Sequence, residues 1–310
     1  MRQRLGRLRS GNGPRRGRGD RPHRAAQARP GACVPGHLQG RVRGDGGSGG
    51  VRVPAVILAG GSARPELAAQ AGTALRALVP VAGRPMVEWV AEALAGAECV
   101  DGIVAVGSVP EAGRWRRLPD AGSFVDNVYG GLEASGPADH VLFVTCDLPF
   151  LTPESVDDFV RRALELNADV VYPVVKAADC AARFPGIRRT AVSLREGRLT
   201  GGNLMLARAS FLLAQRGRIA AAYAARKSPL RLARMLGLGV LARFAASKIV
   251  GGSVLPIHAL EEAASCLLGG RARALASAYP EIATDIDRAE DLRACEALAR
   301  QAGPGTPPDA

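Results

Sequence analysis

The chain has 310 residues, with 41 Lys and Arg against 29 Asp and Glu and a net charge of +12. That length buries a sizeable core, as one large α/β domain or two small ones. It contains no apolar run of about 18 residues, which argues against a membrane-spanning helix.

The positive charge is unevenly placed. Residues 1–50 hold twelve Arg against Asp20 and Asp45, so ten of the twelve surplus charges sit there and the other 260 residues carry two. This segment is dense in Arg, Gly and Pro and lacks apolar periodicity, so it reads as a disordered tail unable to offset chain entropy. Ordered patterning starts abruptly at Val51–Val53. That favours a start assigned too early over a targeting peptide or a nucleic-acid tail. Any nucleic-acid binding would depend on this tail.

From Pro54 onward short apolar runs alternate with helical periodicity. Pro54–Ala59 reads as a strand ending in Leu58-Ala59-Gly60-Gly61. Glycines there let the backbone turn tightly and expose N–H groups to phosphate. After a loop, Met86–Leu94 reads as a helix, Gly102–Val106 as a strand and Asn127–Ala134 as a short helix. His140–Thr145 is a buried strand. Thr152 caps a helix with Pro153 at its first position, continuing from Ser155 to Leu166. Ala168–Pro173 is a further strand, and Val174–Leu206 is less regular.

Helices follow at Phe211–Ala225, Pro229–Phe244 and His258–Leu268. Ala272–Ala278 reads as a strand, Arg288–Gln301 as a final helix, and Gly303–Ala310 as a Pro/Gly tail. The β-α-β-α order argues for an α/β fold: a mostly parallel sheet with helices on both faces, three layers in all.

In such sheets ligands lie beyond the carboxyl ends of the strands. Gly60-Gly61, Asp147 and Asp285 all fall at such ends. Asp147, where the strand VLFVT surfaces, suits a hard cation such as Mg²⁺. In Asp285-Ile286-Asp287 either acid's oxygens can turn toward the site. The spacing of Asp287 and Glu290 fits a capping box, so Asp287 is given the helix cap and Asp285 the metal. Arg76 stands where a cation neutralises phosphate. Asn203, after two glycines, is placed to read a base or sugar edge, and Gly-Gly-Asn is also ordinary turn chemistry. Arg84 reads as solvated surface; Arg188, Arg189 and Lys227 could add charge to a substrate pocket, with exposed surface the stronger reading. Cys33, Cys99, Cys146, Cys180, Cys266 and Cys295 are scattered without metal spacing. A reduced, cytoplasmic compartment fits them.

Together these residues resemble a known family. LAGG after the first strand, R-x-L-V-P-V-A-G-R-P-M before the first long helix, T-C-D-L-P-F-L-T after the central strand and D-I-D-R-A-E-D-L near the end look like the MobA-like NTP transferases. The resemblance covers residues 53–300 in order. It implies a GT-A-type fold and a nucleotidyltransferase that moves NMP from an NTP to a small phosphorylated or hydroxylated acceptor with release of pyrophosphate. It also implies that Leu58, Ala59, Gly60 and Gly61 hold the nucleotide, and that Asp147 and Asp285 hold Mg²⁺. Two departures stand out: Ser62-Ala63-Arg64-Pro65 replaces a Ser-x-Arg-Met-Gly-like run, and Arg76 replaces a Lys. The region Ala177–Ile282 is also longer and more helical than in the molybdopterin enzymes.

Two other readings compete. Asp285-Ile286-Asp287 as a metal-binding D-x-D suggests a GT-A glycosyltransferase using an NDP-sugar. The altered loop, with the Arg-bearing stretch Pro229–Phe244, suggests a non-catalytic nucleotide-binding or membrane-surface regulator.

Overall fold

The computed structural model describes residues 50–225 and 255–302, all within the unit Ser48–Ala310. The Arg-rich tail, Lys227, the Pro229–Phe244 stretch and the C-terminal tail lie outside the described residues. In chain order the elements begin with β1 (Val53–Ala59), α1 (Pro65–Ala71), a 3-10 turn (Arg76–Leu78), β2 (Pro80–Val81), β3 (Arg84–Pro85) and α2 (Met86–Gly96). Next come β4 (Val100–Gly107), β5 (Arg116–Leu118), α3 (Phe124–Ala134), β6 (His140–Thr145), α4 (Pro153–Glu165) and β7 (Val170–Lys176). Then follow α5 (Ala177–Arg183), β8 (Val192–Leu194), β9 (Gly197–Gly201), β10 (Leu204–Arg208), α6 (Ala209–Ala214) and α7 (Arg216–Ala225). The last are α8 (Ile257–Leu268), β11 (Ala272–Ala276), a second 3-10 turn (Pro280–Ala283) and α9 (Ala289–Ala302).

The strands form one mixed sheet in the order β5-β4-β1-β6-β10-β7-β9-β8, with β11 paired to β7, while β2 and β3 make a separate hairpin. β1 is parallel to β4 and to β6, and β7 is parallel to β11; β10 runs antiparallel between β6 and β7. β1 is apolar throughout because both its faces are covered. Val53, Ala55 and Ile57 meet Val87, Val90 and Leu94 of α2 and Val156, Phe159 and Val160 of α4 in one cluster. Val56 meets Val128, Tyr129 and Leu132 of α3 on the opposite face. The result is an α/β/α sandwich, with helices on both faces of the sheet. Among the described residues no helix is long and apolar enough to cross a membrane.

The segment expected to be irregular, Val174–Leu206, holds α5 and the strands β8 to β10. β9 and β10 are two halves of one bent strand beside β7. From Gly201 to Leu206 it advances five residues while β7 retreats only three, from Val174 to Val171, so Gly202-Asn203 forms a bulge. Pro173 lies opposite that bulge, where the ladder is already interrupted and its missing N–H is tolerated. β7 therefore runs on past Pro173 to Lys176 instead of stopping there. The single helix expected over Phe211–Ala225 is split near Gln215. The Tyr129 hydroxyl donates to the Leu212 carbonyl at 2.8 Å, just before that break.

One buried carboxylate fixes the turn between α2 and β4. Asp157, on α4, accepts from the Cys99 N–H at 2.9 Å and from the Glu98 N–H at 3.1 Å. Burial alone would raise its carboxyl; the bonds to Cys99 and Glu98 and the charge of Arg161 hold it below its ordinary value. Asp157 therefore adds stability that is complete above about pH 4 and is lost as the pH falls through its lowered value. Asp157→Ala should cost about 2 kcal/mol at neutral pH, because two N–H groups lose a charged acceptor. Urea unfolding at pH 7 and near pH 3 checks this: the gap to the parent should narrow in acid, and an unchanged gap would assign the loss to packing instead.

Candidate active site

The loop after β1 turns because Gly61 has φ +99, a left-handed value that glycine alone adopts without strain. It also lies directly against β4: a Cβ at Gly107 would stand 2.3 Å from the Ala59 carbonyl oxygen. The chain then returns to its start, with Ala63 N–H donating to the Ala74 carbonyl at 2.8 Å and Arg76 N–H donating to the Gly61 carbonyl at 3.4 Å. α1 occupies the excursion that read as a plain loop. The VPVAGRP segment is a tight hairpin with positive φ at Ala82 and Gly83. It delivers Met86 and α2 into the core while the 3-10 turn presents Arg76.

Arg76 is the hub. Its Nη1 lies 3.0 Å from Asp147 Oδ2 and 2.8 Å from Asp287 Oδ1. Burial would lower its pKa, but the charges of Asp147 and Asp287 outweigh that and hold it above the ordinary value. Asp147 is 2% exposed, and it also accepts from the Thr145 hydroxyl at 2.6 Å. Asp285 is ion-paired with Arg189, and Asp287 Oδ2 lies 3.3 Å from Arg64 Nη2.

Backbone contacts bring the acids together. Ile286 N–H donates to the Asp147 carbonyl at 3.0 Å, and the fully buried Ile286 side chain packs with Met86, Phe150 and Leu67. One carboxylate oxygen from each of Asp147, Asp285 and Asp287 lies within 4.8 Å of the others.

Two sequence assignments change here. Asp287 does not cap α9: the N–H groups of Asp287 and Arg288 donate to Asp291, at 3.3 and 2.9 Å. The buried Asp291 side chain reaches back from inside the helix, which leaves the Asp287 carboxylate for the site. Arg189 is not surface charge. Its side chain is 16% exposed and sits on Asp285, and burial pulls its pKa below the ordinary value. Arg188 is exposed. Arg84 pairs with Glu92 at 2.5 Å and stacks over Trp89.

A pocket of about 360 Å³ opens at the carboxyl ends of β1 and β6, lined by Leu58, Gly60, Gly61, Arg76 and Asp147 among others. Ala59 is buried and is not part of that lining. Asn203 does not reach the pocket either. Its amide donates to the Thr145 hydroxyl at 3.3 Å, and its Oδ1 accepts from Arg189 at 3.4 Å. Asn203 thus holds Thr145, which holds Asp147. Cys146 is buried and its thiol is pushed well above its usual value by desolvation, so it is neutral.

The sequence reading missed the opposite wall, built by the segment between β5 and α3. Asp120 accepts from Gly122 N–H at 2.8 Å and from the Asn127 amide at 3.0 Å. Those bonds, with one from Gly61, hold its carboxyl below the usual range. Ser123 caps α3, accepting from Asp126 N–H at 3.1 Å. Phe124 stacks on Tyr223 at 4.7 Å at the rim. The available signal was a Pro-Asp-Ala-Gly-Ser turn between a strand and a helix.

The model of the MobA-like NTP transferase domain matches residues 55–248. The chain belongs to that family. Its members are nucleotidyltransferases, and the chain is an enzyme of that class. A hypothetical transferase structure from Thermus thermophilus is 40% identical, with a TM-score of 0.69, covering 78% of this chain and 100% of its own. Other structures match at lower similarity. 2-C-methyl-D-erythritol 4-phosphate cytidylyltransferase from Thermus thermophilus is 17% identical, TM-score 0.47, covering 81% and 100% of the two chains. A nucleotidyl transferase from Methanothermobacter thermautotrophicus gives 17%, 0.47, 81% and 100%. No curated protein matches the chain.

In this family's setting the acid cluster fits a divalent metal. Oxygen-only donors suit a hard cation, and the buried oxygens Asp285 Oδ1 and Asp287 Oδ1 lack hydrogen-bond partners, their contacts to Arg being ionic only. Removing Arg76 should leave Asp147 buried without its counter-ion. Arg76→Met is expected to cost about 2 kcal/mol of stability. Millimolar Mg²⁺ should then raise the melting temperature of the variant more than that of the parent, because a ligand bound only by the folded state stabilises it. Equal shifts in thermal melts would dissociate Arg76 from the metal site.

Proposed function

We propose that the chain is a Mg²⁺-dependent nucleotidyltransferase that moves NMP from an NTP to a small phosphorylated or hydroxylated acceptor, releasing pyrophosphate. The observation that carries this reading is the charged end of the pocket, where Arg76 and three carboxylates converge beside the Gly60-Gly61 loop. At the other end Asp120, Asn127 and the Phe124–Tyr223 stack offer hydrogen bonds and a flat apolar surface. That polarity supports a nucleotide with its base at the aromatic end and its triphosphate at the Arg76 end.

Asp147, Asp285 and Asp287 would hold the metal, which supplies charge neutralisation at the α-phosphate. Arg76 pairs with phosphate oxygens as a planar fork. Thr145 and Asn203 keep the Asp147 carboxylate in one orientation. An acceptor oxygen attacks the α-phosphorus, a hydroxyl acceptor giving up its proton to water; the bond to the bridging oxygen breaks, and pyrophosphate leaves with the electron pair. Such transfer relies on positioning and charge stabilisation, without a covalent nucleophile on the protein.

Pyrophosphate release from mixed NTPs with Mg²⁺ should require an acceptor. Asp147→Ala should slow it by about 100-fold or more. Unchanged release in that variant would remove Asp147 from the metal site. Thermal stabilisation by NDP-sugars in preference to all four NTPs would overturn the nucleotidyl-transfer reading in favour of glycosyl transfer.

A further inference from the structure

The described residues form a second concavity, of about 490 Å³, where α8 stands over the sheet. Val170, Tyr172 and Val174 of β7 make its floor, with Met205 of β10 and Leu260 of α8 along its sides. The lining is almost wholly apolar. Tyr172 is 43% and Val192 42% exposed, and both line it. Large apolar side chains left open together in a concave site mark a binding surface.

The groove's own lining carries one acid and one cation, Glu261 and Arg273, and a further cation lies just beyond it. Alternation along β7 carries the stripe Val170, Tyr172 and Val174 on to Lys176, which is exposed at the carboxyl end of the strand. On the inner side the Tyr172 ring packs over Gly201, where a Cβ would stand 2.8 Å from it. The Gly201 carbonyl accepts from Arg189 at 3.5 Å, and Arg189 is the partner of Asp285 in the acid cluster. The apolar groove is thus linked to the acid cluster through a guanidinium.

We propose that this groove binds the apolar part of the acceptor, and that the acceptor is the phosphate monoester of an apolar alcohol. Its head lies between Arg189 and Lys176 and its tail over Tyr172. The inference rests on the nucleotidyl-transfer reading and names the acceptor class for it. A monoester dianion needs no general base: its oxygen forms the new bond to the α-phosphorus, the bond to the bridging oxygen breaks, and pyrophosphate carries away the electron pair. The product is a nucleoside diphosphate joined to the apolar alcohol. A neutral alcohol would bring no negative charge to the exposed Lys176 ammonium, and a sugar phosphate would leave the groove empty.

Calorimetry on the full chain tests this with octyl phosphate below its micellar concentration, and with inorganic phosphate and 1-octanol as separate arms. Octyl phosphate should bind at least about tenfold more tightly than either, because head and tail contribute together. Tyr172→Asp places a charge on the exposed edge of the floor, and Ala264→Phe fills the groove without adding charge. Each should weaken octyl phosphate by about tenfold, while NTP with Mg²⁺ still raises the melting temperature as in the parent. With NTP and Mg²⁺ present, octyl phosphate should trigger pyrophosphate release.

Octyl phosphate binding no tighter than inorganic phosphate would overturn the inference, as would binding that both variants leave unchanged. A dimer in sedimentation that Tyr172→Asp converts to monomer would also overturn it, assigning the groove to a second copy. If octyl phosphate bound but no NTP stabilised the chain, the transfer reading would fall and the acceptor role with it. NTP stabilisation without octyl phosphate binding would remove only the acceptor class.

Discussion

The site depends on one short backbone contact, the Ile286 N–H on the Asp147 carbonyl. The segments it joins are far apart in the chain, and each carries acid that cannot be buried beside the other without compensation. Ile286 supplies both the attachment and the energy that holds it. Its side chain is fully buried among Met86, Phe150 and Leu67, and burying such a side chain contributes about 2 kcal/mol. With Ile286 turned inward, Asp285 and Asp287 flank it, and both can reach the carboxylate at the end of β6.

Like charges this close need cations. Arg76 bridges Asp147 and Asp287, Arg189 covers Asp285, and Arg64 reaches Asp287 from outside. Arg64 comes from the loop after β1, Arg76 from the 3-10 turn after α1 and Arg189 from the stretch between α5 and β8, so charge compensation also ties these segments to the site. At position 76, where a Lys is expected, one guanidinium nitrogen contacts two carboxylates, and Arg76 also lines the pocket. The same cations suit the phosphates of a nucleotide, so ligand and metal could relieve a compensation the protein already makes for itself.

Much of the fold was legible in the chain. The strands at β1, β4 and β6 and the helices α2, α4 and α9 announced themselves because each buries a periodic apolar set, and Thr152 with Pro153 marked a helix start that the structure keeps. Less legible were β8 to β10. These strands are short, and the Gly202-Asn203 bulge and Pro173 disguise a central antiparallel strand as turn chemistry. The cap at α9 misled for a related reason. Asp287 and Glu290 have the spacing of a capping box, but Asp291 can reach the same N–H groups from within the helix, and spacing alone does not say which carboxylate arrives.

By itself the sequence determined the three-layer α/β class and the Gly60-Gly61 loop, and it singled out Arg76, Asp147 and Asp285, which the fold brings together. Apolar periodicity and strand-end position are local properties, readable along the chain. Only the tertiary structure decided that Asp287 joins the acids, that Asn203 steadies Thr145, that Arg189 is buried on Asp285, and that Asp120 closes the pocket from the far wall. Those roles depend on which segments meet across the sheet. That meeting is set by the burial of side chains such as Ile286 and by the pairing of charges that no spacing rule connects.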